Sequence, residues 1–475
     1  MNKKALIILG SCLSAILIAA IAAIIVISGG SSSPTGSNPS ISTPAPITTT
    51  EYSAMCITVS AGENAHTTTN FCWQTFDGYT SGALQYAEIN GTDAENTFAD
   101  TNSQNIITVK SSSEAMSIFL PAGESNLKNP VLEEKAGLVH RVWLNSLTPG
   151  KTYAYRVGDT AENKWSEPAT FSTAEESEET SFLYVTDPQG FTQSDYNIWG
   201  NLIATAVENH TDIDFILNLG DVVEENTNQN QWKMFTETAL EVVRNNTFVS
   251  VSGNKDKKSV MEHFTFGSEE NRTAWISGYY SFECNNIHFS VLYTGDNDKD
   301  LSKSQLKWLE DDLENSTKQW NIVLMHKSPV SNANHYNDTE IVALRKQILP
   351  VIDKYNVDAV ITGHDHYFFR SEPMTASGVA EYKAEDVVID GDTVKILSDI
   401  KGGTVYFING SSGVKQHIGK IYEVDGVYPD EAFLTELPSY SYCTVEGNRL
   451  IIKTYTVDED GTTTLIDAWG ITKQQ

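Results

Sequence analysis

Ala359-Val-Ile-Thr-Gly-His-Asp-His366 is a short β-branched run that stops at a glycine and then releases two histidines and an aspartate. A run of this length bounded by glycine reads as a buried strand, and residues that follow such a strand in an α/β fold line the crevice where ligands bind. Four other segments of the same half end alike. Ser181-Phe-Leu-Tyr-Val-Thr precedes Asp187, Phe215-Ile-Leu-Asn-Leu-Gly precedes Asp221, Phe248-Val-Ser-Val-Ser-Gly precedes Asn254, and Ile322-Val-Leu-Met precedes His326. Carboxylates, an amide and imidazoles converging from strand ends predict a metal site. This mixed nitrogen and oxygen set suits Zn, Fe or Mn rather than Ca or Mg alone. With no cysteine in it, a structural zinc site is not expected.

Between these runs the period changes to that of helices. Asn197 to Val207 carries Ile198, Leu202, Ile203 and Ala206 on one face. Ser302-Lys-Ser-Gln305 reads as a capping box opening a helix that buries Leu306, Leu309 and Leu313. Thr339 to Tyr355 reads as another, with Pro350 marking a kink or break. Strand alternating with helix is an α/β pattern. Gly403 to Gly410 and Tyr440 to Val457 read as further strands that complete a second sheet. Upstream, from Glu51 to Thr173, short alternating runs and turn residues predict an all-β domain. In it His140-Arg-Val-Trp-Leu-Asn-Ser-Leu-Thr-Pro-Gly150 leads into the alternating strand Thr152-Tyr-Ala-Tyr-Arg-Val-Gly158, and Trp73, Tyr153 and Tyr155 are expected in the core. The expected division is an anchor over 1–28, a stalk over 29–50, a β domain over 51–175 and an α/β domain over 176–475.

The 475-residue chain carries 62 acidic and 32 basic residues, a formal charge of −30. That excludes an extended nucleic-acid footprint and repels phosphate esters at long range, so phosphate binding would need local cations. Ala5 to Ile27 is apolar and long enough to span a bilayer. Lys3 and Lys4 precede it and Lys110 is the next basic residue, so the positive-inside rule places the rest of the chain outside the cytoplasm. A signal anchor is expected, with secretion after cleavage as the alternative; the oligomeric state stays open. Gly29 to Thr50 has almost nothing to bury and reads as a stalk. Cys56 and Cys72 lie symmetrically about Asn64 and would face each other across a hairpin, while Cys284 and Cys443 are the other possible pair. His140, His263, His288 and His417 match no strand end and read as structural.

The ordered blocks Asp187-Pro-Gln-Gly190, Gly220-Asp-Val-Val-Glu224, Gly253-Asn-Lys-Asp256, Val323-Leu-Met-His326 and Gly363-His-Asp-His366 resemble those of the calcineurin-like metallophosphoesterases. The preceding β domain, with Tyr279-Tyr-Ser-Phe and Gln305-Leu-Lys-Trp-Leu, resembles the purple acid phosphatase branch. The resemblance implies a fibronectin type III-like sandwich followed by a four-layer α/β/β/α domain. It implies two metal ions, Fe, Zn or Mn, with Asp221 bridging them, Asp187 and His366 on the first, and Asn254, His326 and His364 on the second. The activity implied is that of an acid phosphatase-like hydrolase of small phosphomonoesters. The alternatives are a phosphodiesterase or nucleotide pyrophosphatase, or a surface binding protein on a weakened phosphatase scaffold.

Three positions depart from the pattern. Glu224 stands where the purple branch has an iron-binding tyrosine, and reads either as a carboxylate ligand or as a solvated loop acid. Lys255 replaces a histidine that orients substrate and protonates the leaving oxygen. Gln189 stands where many metallophosphoesterases have a histidine ligand. His335 resembles a non-ligand active-site histidine of the purple branch, which makes it, with Lys255, a candidate for substrate binding or proton donation.

Overall fold

The strand-like runs of the α/β half form two groups of parallel strands. Glu179–Val185, Phe215–Asn218 and Phe248–Ser250 hydrogen-bond in that order, with Phe182 beside Phe215 and Ile216 beside Phe248. Ile287–Val291, Trp320–Leu324, Ala359–Thr362 and Val405–Asn409 form the second group, also parallel. This computed structural model describes residues 54–90, 94–99, 105–122, 130–270, 276–296, 301–416 and 419–474. The apolar run from Ala5, the stalk and His417 lie outside the described residues, and among the described residues no helix is long and apolar enough to cross a membrane.

The period of two decides which face meets which partner. In the second group Trp320, Ile322, Leu324, Ala359, Ile361, Val405 and Phe407 enter the large core shared with the first sheet. The alternate residues Val323, Val360, Tyr406 and Ile408 pack with Leu309 and Leu313 of the helix Lys303–Asn315 and with Leu344 and Ile348 of the helix Thr339–Lys354. Aromatic rings join the two sheets: Phe182 meets Phe289 at 5.7 Å, and Tyr184 meets Phe407 at 5.8 Å. The helix Gln193–Asn209 buries Trp199, Leu202 and Ile203 in the large core and starts at a full capping box between Thr192 and Asp195.

The upstream β region is not walled off from this sheet. Met55–Ala61 pairs in parallel with Phe248–Ser250, Ser60 beside Phe248, so one sheet of 12 strands runs from the N-terminal half into the C-terminal half. A five-stranded sheet packs over its N-terminal strands, and Phe71, Trp73, Tyr153, Tyr155 and Phe171 fill the space between. Side chains of the N-terminal strands also bind the segment after Asn254. Thr58 donates to the His263 carbonyl at 2.6 Å, Arg141 to Met261 at 2.6 Å, Asn70 to Gly267 at 2.8 Å, and Gln74 to Glu262.

Several expectations are corrected. The C-terminal strands do not share one sheet: Val405–Asn409 lies in the seven-stranded sheet, whereas Ser439–Glu446 and Arg449–Val457 extend the 12-stranded one. The antiparallel edge beside Glu179–Val185 takes them, burying Tyr440, Cys443 and Val445. At Ser302 only half the capping box forms. Its hydroxyl accepts from the Gln305 N–H at 3.1 Å, but the Gln305 amide instead clasps the backbone N–H and carbonyl of Tyr293, at 2.7 and 3.1 Å. That turns Gln305 inward and leaves Leu306 only partly buried. Pro350 does not break its helix, which runs to Lys354. All four described cysteines are buried free thiols. The hairpin forms, but an irregularity between Met55 and Thr58 places Cys72 opposite Thr58. Cys284 and Cys443 belong to different sheets. Among the remaining histidines, His140 lies between the hydroxyls of Thr75 and Ser113, His263 stacks on Trp232 at 3.8 Å, and His288 meets Asp312 at 2.8 Å.

Candidate metal centre

Parallel strands put their carboxyl ends on one edge, and the chain must turn sharply there. Asp187, Asp221, His364 and His366 turn with φ of 56°, 50°, 74° and 53°, left-handed values that are costly for residues with a Cβ. Four such residues on one rim mark a site whose geometry is held by its surroundings. The glycines in the blocks let the loops close on one another. A Cβ on Gly253 would fall 2.1 Å from both the amide nitrogen and Oδ1 of Asp221, and one on Gly363 would fall 2.7 Å from Asp187 Oδ2.

Within this rim one donor atom each from Asp187, Asp221 and His326 lies within 4.8 Å of the others, all three residues buried. His366 Nε2 approaches Asp187 Oδ1 at 3.1 Å, and His326 Nε2 approaches Asn254 Oδ1 at 3.1 Å and Asp221 Oδ1 at 3.4 Å. The other ring nitrogen of His326, Nδ1, donates to the Leu219 carbonyl at 2.8 Å, which aims Nε2 into the cluster. Asp187 is steadied by the Thr186 hydroxyl at 2.7 Å and the His364 N–H at 2.9 Å. His364 meets His326 edge-on and His335 at a tilt, with ring centroids 5.1 and 4.4 Å away.

The buried carboxylates of the rim favour positive charge on the groups that face them. Burial pushes the Asp187 carboxyl up, but His366 and His326 outweigh it and hold it below its ordinary value. Burial pulls His326 down, yet Asp221 and Asp187 carry it up to about 9. His364 is held well below its usual value by burial and by the charges of His326 and His335, leaving it neutral, the form in which imidazole binds metal.

Four candidates lie off this cluster: Glu224, Lys255, Gln189 and His335. Glu224 is held by lysines: Lys255 Nζ donates to Oε1 at 3.0 Å and Lys415 Nζ donates to Oε2. Burial lowers the Lys255 ammonium, but Glu224 more than restores it and raises it above its ordinary value. The Lys255 backbone N–H meanwhile donates to Asp221 Oδ1 at 2.8 Å. Gln189, with its amide nitrogen turned to the acceptors around it, donates to the carbonyls of Asp221 at 2.9 Å and Asp187 at 3.0 Å, so it fastens two loops together. His335 lies at the mouth, its Nδ1 2.7 Å from Asp338 Oδ2.

Two residues escaped the sequence reading. Asp256 is fully buried and accepts from the N–H groups of Val222 at 2.7 Å, Val223 at 3.0 Å and Gly253 at 3.0 Å, joining the loops that carry Asp221 and Asn254. Its place within the Gly253-Asn-Lys-Asp256 block was the available signal. Lys415 follows the strand Val405–Asn409 in Gly410-Ser-Ser-Gly, a strand end of the same kind as the others but without a ligand residue type. Ser411 in that loop donates to the Asp187 carbonyl at 2.9 Å.

Comparison with known proteins agrees with this architecture. The calcineurin-like phosphoesterase family matches residues 180–368, and the purple acid phosphatase N-terminal domain family matches residues 55–173. Purple acid phosphatase 22 of Arabidopsis thaliana is 27% identical over 251 residues, covering 50% of this chain and 54% of the relative. A second Arabidopsis relative, 22% identical over 58% of this chain and 49% of its own length, carries "inactive" in its name. The alignments with curated relatives span between 21% and 59% of those proteins. Among solved structures, purple acid phosphatase PPD1 from yellow lupin superposes with a TM-score of 0.69 at 16% identity, over 89% of this chain and 75% of that one.

Proposed function

Because the chain is a purple acid phosphatase-like member of the calcineurin-like metallophosphoesterase superfamily, and its members are metal-dependent phosphoester hydrolases, we propose that it hydrolyses phosphomonoesters at a dinuclear centre. The observation that carries this reading is the convergence of Asp187, Asp221 and His326 within 4.8 Å, with His366 and Asn254 against them. In this reading Asp221 would be shared between the two ions, Asp187 and His366 would hold one, and Asn254, His326 and His364 would hold the other. Fe, Zn or Mn suits these donors. Two such cations clamp a phosphate and supply a water nucleophile near neutral pH. The chain's own groups do the rest. Asn254 adds a donor oxygen without adding negative charge, Lys255 and His335 are the groups available to bind substrate or protonate the leaving oxygen, and Asp338 orients His335. Glu224, engaged by two lysines, is a charge partner rather than a ligand, so an iron-loaded sample should lack the tyrosinate colour of the purple branch.

The alternation of apolar faces supports the four-layer order implied by the family, behind a fibronectin type III-like sandwich. The run Ala5 to Ile27 supports placement at a membrane with the catalytic part outside, or secretion after cleavage. A weakened binding protein is the second reading, favoured by Lys255 alone. Metal analysis and turnover of an aryl phosphate by the metal-reconstituted protein test the proposal. Two bound metals and turnover are expected, with both lost in Asp221→Asn; a protein that takes up no transition metal overturns it.

A further inference from the structure

We propose that Lys255 and Lys415 form a second anion subsite beside the metal centre, and that the preferred substrate is a diphosphate whose second phosphate lies between the two ammonium groups. This inference rests on the hydrolase reading above and narrows its substrate class. Glu224 marks where an anion fits. Its carboxylate takes one lysine on each oxygen and is only 10% exposed, whereas Lys255 and Lys415 are 38% and 32% exposed, so the cations face outward in front of the acid. Two ammoniums against one carboxylate leave the trio with one unit of positive charge, on a chain whose net charge is −30. Both lysines are rooted on or next to the loops of the candidate metal centre. The Lys255 N–H binds Asp221 Oδ1 at 2.8 Å, and the loop leading to Lys415 binds the Asp187 carbonyl through Ser411 at 2.9 Å. The Lys415 ammonium also lies 5.5 Å from the centroid of the Phe191 ring, which restricts where it can swing.

The chemistry suits a phosphoanhydride. The water oxygen forms a bond to the terminal phosphorus, the bond from that phosphorus to the bridging oxygen breaks, and the bridging oxygen keeps the electron pair within a departing orthophosphate. The proton of the water passes to phosphate or solvent. Orthophosphate leaves as a stable anion, so it calls for positive charge more than for a proton, and charge is what two lysines offer. A single ester phosphate held at the metals would leave the outer cations without a partner other than Glu224.

The test compares kcat/KM for inorganic pyrophosphate and for an aryl monophosphate in the metal-reconstituted full chain, its Lys415→Gln variant and its Lys415→Arg variant. The wild type should favour pyrophosphate, Lys415→Gln should lower the pyrophosphate to aryl phosphate ratio at least tenfold, and Lys415→Arg should restore most of it. Calorimetry with imidodiphosphate, which resists hydrolysis, should give a tenfold weaker Kd in Lys415→Gln than in wild type. An unchanged ratio with unchanged Kd overturns the subsite. Aryl phosphate turnover without pyrophosphate turnover overturns it too, while leaving the hydrolase reading in place. No turnover of either substrate by metal-loaded protein sinks both.

Discussion

Asp256 illustrates how much of this site is made by residues that touch no reacting atom. One carboxylate accepts three backbone N–H groups from two loops, and burial with the nearby Asp221 charge raises it to about 7. Asp256→Asn keeps the shape but turns an N–H₂ toward a donor, so metal affinity should fall by about 10- to 100-fold, the usual effect of disturbing the groups that orient ligands. Calorimetric titration with Zn or Mn checks this, and unchanged affinity would show that the loops hold their positions without it. The ligand residue types were legible because each ends a strand. Asp256 was legible only as a member of the Gly253-Asn-Lys-Asp256 block; its role was not, because it lies in backbone donors brought from 33 and 34 residues away. Glu224 read from the sequence as either a ligand or a loop acid, and the structure adds two lysine partners that no local pattern shows, one of them 191 residues distant in sequence.

At the scale of the element, the strand-to-loop junctions decide whether the rim can close. Gly253 ends the strand Phe248–Ser250 region against Asp221, where an added Cβ would fall 2.1 Å from two Asp221 atoms. Neither atom can move away freely, since one is backbone and the other accepts the Lys255 N–H. Gly253→Ala should therefore destabilise the fold by about 1–3 kcal/mol, as overpacking does, and reduce bound metal below two per chain. Urea unfolding beside metal analysis reads both. Full metal content at wild-type stability would mean that the two loops are looser than their spacing implies. The helices were the most legible elements, since a face such as Leu202 and Ile203 repeats at helical spacing. The half-formed cap at Ser302 was not, because Gln305 had two backbone partners to choose from and the tertiary one, Tyr293, prevailed.

Across the whole molecule, the 12-stranded sheet makes the N-terminal β region part of the fold that carries the candidate metal centre. Residues 176–475 alone would expose the edge of Phe248–Ser250 and the apolar side chains that Met55, Ala61 and Phe76 cover. That fragment should aggregate or unfold, where the chain from about residue 51 stays soluble; a soluble, cooperatively melting fragment would contradict this. Acid should act on the same region. Burial holds His140 down to about 4, against an ordinary value of 6.5. Above 6.5 neither state binds the proton; between there and about 4 only the unfolded chain does, so stability falls as pH falls through that window. Asp214, raised to about 6 by burial, acts in the opposite sense. Comparison with His140→Gln isolates the histidine. The stability advantage of wild type over this variant should shrink by roughly 2 kcal/mol between about pH 7.5 and about pH 5, and an advantage independent of pH would show that His140 titrates normally.

Sequence alone determined that five strand ends carry metal-binding residue types, because a buried strand and the sharp turn after it are local events written in adjacent residues. It determined the helices of the α/β half for the same reason, through the spacing of their apolar faces. Tertiary structure decided which sheet each C-terminal strand joins, that the four described cysteines remain thiols, and that Lys255 and Lys415 meet on Glu224. Those outcomes depend on which distant edges and loops are left unpaired once the strands assemble, and that is a property of the packed whole rather than of any single segment.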